Sequence, residues 1–459
     1  MKNKNFMSFF HIWRLSWPQV LMMVFHFGIG FVDVLVAGRL GKDVQACMGL
    51  TTQAMFFFLV VASAVANGSV AAISQSLGAG LEKRAKRFIG LGFQIGIIAG
   101  VIIVVFGNIF LDNLLTLLHL PTKIYPIGRY LLKVYLLIIP AYYLLLITNA
   151  FFRAQQKVII PLFATMLVTL VNTIGDFGLG LGLWGLPSLG YKGLAWSTFA
   201  SILTGFLFNF VILMKQKLLV RESFAPWRWI KKAFFYLYKV AWPAGLMQIV
   251  WHSAYLALYA IVAALPFNNV VALAGMSAGI RIESFLFLPA FAFNFTASIL
   301  VGHFLGAGDI IKAKRVGYQV LGFGFILVSI LTLILFFFLK PITYFIAPDP
   351  SVAIEAMNYL KFNMSAIIFL VPAMVLGGAL TGAGATFYQL TVIFISTWLT
   401  RIPLAYFLGH IIFKTATGVW LAMFLSMGIQ AGLTFYVYQF KNWDKFALRK
   451  KKIICTEEL

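Results

Sequence analysis

Long runs of uncharged apolar residues, such as 97–106 and 320–339, leave this 459-residue chain few ways to fold. A bilayer core offers the backbone no water, so only helices and closed barrels satisfy their hydrogen bonds there. Barrel strands read as segments of about ten residues alternating in polarity, and these runs do not alternate. A helical span needs about 20 predominantly apolar residues. Twelve segments qualify, near 15–38, 47–77, 89–112, 129–151, 160–183, 193–214, 240–265, 270–303, 317–339, 356–378, 387–411 and 417–438. Charged residues make up 11% of the chain and hydrophobic residues 61%, whereas soluble domains carry roughly 25% charged residues. The expected fold class is therefore an all-α integral membrane protein of twelve transmembrane helices. The first span lacks the short apolar core and cleavage site of a secretory leader, and is expected to be a mature helix.

Charge sets the expected orientation. If both termini are cytoplasmic, the termini and the loops on their side carry 25 Lys and Arg, and the opposite loops carry 7. The remaining 4 of the 36 lie within spans. This is a strong positive-inside bias, and the expected location is the plasma (inner) membrane, crossed many times. The bias also accounts for most of the +23 net charge, so no nucleic-acid partner is expected. Two cysteines, Cys47 and Cys455, are too few for a disulfide framework, and neither belongs to a metal-ligand cluster.

The chain also repeats itself. Trp17-Pro18 opens the first span and Trp242-Pro243 the seventh. Leu77-Gly78-Ala79-Gly80 follows the second, and Leu305-Gly306-Ala307-Gly308 the eighth, each trailed at the same distance by Ala-Lys-Arg. Tyr130-Leu131-Leu132-Lys133 and Tyr359-Leu360-Lys361 begin the fourth and tenth. The offsets all fall between 225 and 229. Six spans is an even number, so the two halves share an orientation and are expected to be related by an axis along the membrane normal, with a cavity between them. The expected division is an N-lobe at 1–214, a cytoplasmic linker at 215–239, a C-lobe at 240–440 and a basic cytoplasmic tail at 441–459. Within the linker, Trp227-Arg228-Trp229-Ile230-Lys231-Lys232 suits a helix lying on the inner leaflet.

Several of these residues carry a resemblance. Arg281-Ile282-Glu283-Ser284-Phe285, followed by Val301-Gly302-His303-Phe304-Leu305-Gly306-Ala307-Gly308-Asp309, is similar to the signature of the multidrug and toxin extrusion (MATE) family. Phe31-Val32-Asp33, Ala37-Gly38 and Leu404-Ala405-Tyr406 agree with it. The resemblance covers residues from about 10 to 440; His303 departs from it, where the family often has Gln. It implies two six-helix lobes, alternating access, and export of cationic amphiphiles in exchange for Na⁺ or H⁺. Apart from the coupling ion no cofactor is expected, and a monomer is expected.

The acids locate the chemistry. Of 13 Asp and Glu, three lie well inside spans: Asp33, Asp176 and Glu283. A charged side chain at a helix centre in the bilayer costs at least about 2.5–3.5 kcal/mol, which makes each a functional candidate. Thr165, Thr169, Asn172 and Asp176 are spaced 4, 3 and 4 apart and so share one helical face. Such oxygen ligands suit a hard cation, and a lone carboxylate stripped of water could instead carry a proton. The resemblance implies that an acid in the first span joins an Asn and an Asp one turn apart in the fifth, which Asp33, Asn172 and Asp176 match. It also implies a Thr in the sixth span, for which Thr198 is the candidate. These four form the expected cation-coupling site, with Asp33, Asn172 and Asp176 as ligands if the ion is Na⁺. At the repeat offset they correspond to Leu258, Arg401, Ala405 and Met423, so the polar cluster belongs to the first half alone. Candidates for a substrate cavity are His26, Tyr142, Tyr255, Met276, Arg281 and Glu283. Arg281 lies two residues from Glu283 and cannot face it on a helix, whereas Arg401 could pair with it.

Three other functions compete. A lipid-linked oligosaccharide flippase of the same superfamily would need a basic cavity for a polyanion, a condition that Arg281, Lys361 and Arg401 keep open. A membrane-embedded enzyme would need a constellation such as HExxH or GxSxG with partners, which the sequence lacks. A channel would need a filter-like segment, and none is evident.

Overall fold

The structure, a computed structural model, describes residues 9–117 and 120–448. The end of the basic tail, with Cys455, lies outside the described residues. Among the described residues there are helices and no strands. The spanning helices are α1 (Phe9–Leu40), α2 (Lys42–Gly78), α3 (Glu82–Ile109), α5 (Tyr125–Ala154), α6 (Ile159–Gly175), α7 (Tyr191–Lys215), α8 (Trp227–Ala263), α9 (Asn269–Gly306), α10 (Ile310–Phe337), α12 (Pro350–Ser365) with α13 (Ile367–Gly382), α14 (Thr386–Phe394) with α15 (Ile402–Tyr406), and α16 (Ala416–Phe440). Two short helices, α4 (Leu111–Leu117) and α11 (Leu339–Ile346), follow α3 and α10. Eleven helical segments are long and apolar enough to cross a bilayer, and twelve if α12 and α13 are one span bent by 52°. That bend falls at Ala366, upstream of Pro372, which cannot donate a hydrogen bond within α13.

The repeat is written in the backbone. Eight of the twelve described residues with positive φ fall into four pairs at the sequence offset: Gly41 (119°) and Asn268 (52°), Gly80 (74°) and Gly308 (84°), Gln156 (62°) and Gly384 (82°), Gly185 (77°) and Lys414 (55°). At the two LGAG segments the chain stops its helix identically. Leu81 N–H donates to Ser76 O at 2.9 Å, and Asp309 N–H donates to Phe304 O at 3.0 Å. In each case a left-handed glycine lets the chain turn back and satisfy carbonyls that the helix end leaves open. At Gln156 the first half makes the same turn without glycine. Its amide donates to Arg153 O at 2.8 Å, as Gly384 N–H donates to Thr381 O at 3.0 Å.

The chain divides into two compact units. The first unit holds residues 21–241, and the second holds residues up to 20 together with those from 242 onward among the described residues. The division does not follow helix ends: it cuts α1 at Val20 and α8 at Ala241, both next to the Trp-Pro pairs. Within the second unit, Ser16 Oγ lies 2.9 Å from Thr296 Oγ1, and Gln19 Nε2 donates to the same hydroxyl at 2.9 Å. Within the first unit, Tyr236 OH donates to Gln75 Oε1 at 3.4 Å and the Trp229 ring meets Phe88 edge-on at 5.1 Å.

This last contact changes the reading of the connecting segment. Trp227–Lys232 does not form a separate surface helix; it is the first turns of the 37-residue α8. Trp229 is buried, and Trp227, Arg228, Lys231 and Lys232 are exposed on the other faces. Burial of one large ring against α3 fixes this stretch to the unit, where charge and aromatic content alone suggest a surface helix.

Candidate cation-coupling site

Asp33 on α1, Asn172 on α6 and Asp176 just past the end of α6 meet inside the first unit. The Asp33 carboxylate is within interaction range of both Asp176 and Asn172. Asn172 and Asp176 are fully buried and Asp33 is half-buried. No protein group meets hydrogen-bond geometry with either carboxylate oxygen of Asp176, either amide atom of Asn172, or Oδ1 of Asp33. Buried polar atoms are nearly always paired, and these five, gathered at one place, leave capacity for a proton, an ion or water.

The helices present these groups for definite reasons. Thr165 and Thr169 turn their hydroxyls to the carbonyls one turn back, at 2.9 Å each, and Thr169 also reaches Phe25 O at 3.3 Å across to α1. The upper part of the polar stripe is thus satisfied locally and leaves Asn172 and Asp176 as its reactive end. At Asp176 the helix widens into a π turn, Asp176–Gly180. π turns are frequent at functional sites, but here the turn belongs to the repeat. The second unit has its own at Phe407–Ile412, with no carboxylate in it. The acids, rather than the backbone, are special to the first unit.

Thr198 is half-buried and donates to Leu194 O at 3.0 Å. The Tyr135 hydroxyl donates to Met48 Sδ at 3.3 Å and approaches Thr198, and Tyr135 lies within electrostatic reach of Asp33 and Asp176. Tyr142 lies within reach of Asp33. Ser197, adjacent to Thr198, is the residue that sequence reading misses. Its hydroxyl donates to Asn172 O at 2.8 Å and approaches the Asp176 side chain. A Cβ on Gly175 would lie 2.4 Å from Ser197 Oγ, so glycine there lets α7 come close enough for that bond. The signal available in the sequence was the small residue beside Asp176.

The other candidates fall elsewhere. Glu283 is buried on α9 and accepts a hydrogen bond from Tyr359 OH at 2.7 Å. Arg401 is fully buried and within electrostatic reach of Glu283, but the two form no direct ion pair. Arg401 Nε donates to Ser426 Oγ at 2.8 Å. Arg281 is exposed, Met276 fully buried, Tyr255 half-buried and His26 exposed. Of the repeat counterparts of this cluster, Leu258 and Ala405 are fully buried apolar residues and Met423 nearly so, whereas Arg401 is a buried charge.

The donor set of the first-unit centre is oxygen-rich: two carboxylates and an amide, with hydroxyls beside them. Among the described residues no group of three or more His, Cys, Asp or Glu is placed to hold a metal ion. Two acids with neutral oxygen neighbours fit a hard alkali cation or a proton, not a thiolate- or imidazole-seeking metal.

A many-helix membrane protein with a buried, unpartnered pair of acids has the makings of a transporter. The profile of the MatE family matches residues 18–177 and again 243–407, once in each repeat, and the chain belongs to that family of membrane transporters. The chain is 25% identical over 440 residues to a probable multidrug resistance protein NorM of Thermotoga maritima, covering 94% of this chain and 91% of that one. A FAD transporter of Shewanella oneidensis is 25% identical over 354 residues, 76% of each chain. Among solved structures, an outward-facing multidrug resistance MATE family transporter superposes with a TM-score of 0.87, covering 96% of each chain at 17% identity.

Proposed function

We propose that this protein is a secondary active efflux transporter that exports organic cations by antiport with Na⁺ or H⁺. The observation that carries this reading is the orphaned cluster of Asp33, Asn172 and Asp176. A coupling cation must exchange its hydration for protein oxygen, and this cluster offers two buried carboxylates to do so. The named relatives divide between drug-resistance proteins and a carrier of FAD. Family membership therefore supports small-molecule transport, and the cation reading rests on the chain's own acids. Binding a cation or proton relieves repulsion between the two carboxylates, which gives the ion different affinities for two conformations, as alternating access requires.

The deciding experiment is efflux of a fluorescent organic cation from proteoliposomes with a Na⁺ gradient and a pH gradient imposed separately. Efflux driven by at least one gradient, and none without a gradient, is expected. Absence of gradient-driven transport of any organic cation would end the proposal.

Both termini and residues 215–226 are placed on the cytoplasmic side by the same reading, on the strength of the Lys and Arg bias of 25 to 7. Cysteines introduced singly at exposed Lys217 and Glu222 should resist an impermeant maleimide added to intact cells and react after the membrane is opened. Rapid labelling in intact cells would reverse the orientation.

A further inference from the structure

The second unit carries a charged centre of its own, and it is built differently from the first. Arg401 occupies the position that Asn172 holds in the other repeat. It sits near the middle of the span Thr386–Ile412, in a π stretch at Ile395–Arg401, and is fully buried. Its Nε is taken by Ser426, the repeat counterpart of Ser201. Ser201 and Ser426 make the same bond to the carbonyl three residues back, at 2.9 and 2.8 Å, so the serine is common to both repeats and the arginine is not. Neither Nη1 nor Nη2 meets hydrogen-bond geometry with any protein group. The Tyr255 ring stands 6.0 Å from the guanidinium carbon, and the Tyr255 hydroxyl approaches without completing a bond.

A guanidinium is always charged and its two terminal nitrogens form a fork shaped for a carboxylate. The protein's own buried carboxylate does not fill that fork. Glu283 is held instead by the Tyr359 hydroxyl, close enough to feel Arg401 but not paired with it. Two groups of opposite sign are thus buried within electrostatic reach of one another, and the two terminal nitrogens of the arginine have no protein partner. Such a pair matches a ligand that carries both signs. We infer that Arg401 and Glu283 form a zwitterion subsite, in which Arg401 takes the carboxylate and Glu283 the cationic nitrogen of an amphiphilic substrate.

The inference deepens the export reading and rests on it for one thing: alternating access supplies the opening through which a ligand reaches a side chain closed off here. It narrows the substrate class from organic cations in general to those that also bear a carboxylate.

The test uses tetramethylrhodamine, a zwitterion with a free carboxylate, and its methyl ester, which keeps the cation and loses the acid. Binding to the purified full-length protein is read by fluorescence polarisation, and transport by efflux from proteoliposomes. Arg401→Gln is expected to weaken binding of the acid about tenfold or more, the loss of a charge-assisted two-point contact, and that of the ester less than about threefold. Arg401→Lys keeps the charge without the fork and should fall between. It carries the test if Arg401→Gln elutes as aggregate. Glu283→Gln should weaken acid and ester alike, because both keep the cationic nitrogen. Equal weakening of acid and ester by the arginine variants would overturn the subsite. So would failure of the wild-type protein to bind the acid, even if it exports the ester normally, in which case the export reading stands. Tight, Arg401-dependent binding of the acid with no gradient-driven efflux of either dye would leave the subsite standing and remove the export reading.

Discussion

Replacing Asp33 or Asp176 with Asn is expected to abolish gradient-driven efflux of an organic cation while folded protein stays in the membrane. The carboxylates are in interaction range of one another and of Asn172, in a place where no other protein group completes their hydrogen bonds. Two negative charges a few ångströms apart in a partly dry site repel by roughly a few kcal/mol. That repulsion is the lever: an ion or proton that enters removes it. With one acid turned to an amide the lever is gone, and the efflux rate should fall at least about a hundredfold, equivalent to about 2.7 kcal/mol. Asn is nearly the shape of Asp and, being uncharged, is cheaper to bury, so the variants should purify as well as the parent. Glu283→Gln should do less to export of a simple cation than loss of either first-unit acid, because it weakens substrate binding in the other unit without removing the repulsion between Asp33 and Asp176. Normal efflux in both first-unit variants, with loss in Glu283→Gln, would move the coupling site to the other unit.

The largest effect on folding is expected at Gly382. Helices α9 and α13 approach so closely that a Cβ on Gly378 would lie 2.2 Å from Asn294 O, and one on Gly382 would lie 2.0 Å from Ser298 O. Both the glycines and the carbonyls they face are four residues apart, so the contact repeats one turn along each helix. Asn294 Nδ2 seals it by donating to Met374 O at 2.7 Å. Lipid gives helices no hydrophobic reason to associate, and such small-residue faces are how membrane helices gain packing energy. Gly382→Ala forces backbone apart instead of displacing a side chain, at a cost of about 1–3 kcal/mol or more. Gly322→Ala on α10 is the control, since nothing lies within 4 Å of its new methyl. A large drop in melting temperature and in monodisperse protein is expected for Gly382→Ala alone. Equal behaviour of the two would mean that α9 and α13 are not this close.

Much of this arrangement was legible in the sequence, for identifiable reasons. The LGAG pairs announced helix ends because a glycine after a long apolar run has few other uses, and both glycines adopt positive φ. Asp33, Asn172 and Asp176 stood out because carboxylates are costly in apolar spans. Ser197 did not, because a hydroxyl in a membrane helix usually bonds to its own backbone. Only the close approach at Gly175 turns it toward Asn172. Arg401 was visible as a partner for Glu283, but spacing along two different helices cannot reveal whether charges meet, and here they do not. Trp227–Lys232 misled because its composition suits a lipid surface, while what decides its path is one buried ring, Trp229.

The cuts at Val20 and Ala241 have a consequence for how the molecule holds together. Each half of the sequence lends the opening turns of its first helix to the body built by the other half. This is the geometry of a domain swap between two copies, carried out within one polypeptide. The stability of either body is then not a property of its own half-sequence. A lesion at Ser16 or Gln19 acts on the body that contains Thr296, some 280 residues away along the chain. A fault in the N-terminal turns of α8 acts on the one that contains Phe88. Two repeats with separate interiors are in this way bound to a common fate when the protein folds: the first body needs the chain as far as Ala241, and the second draws on both ends of it.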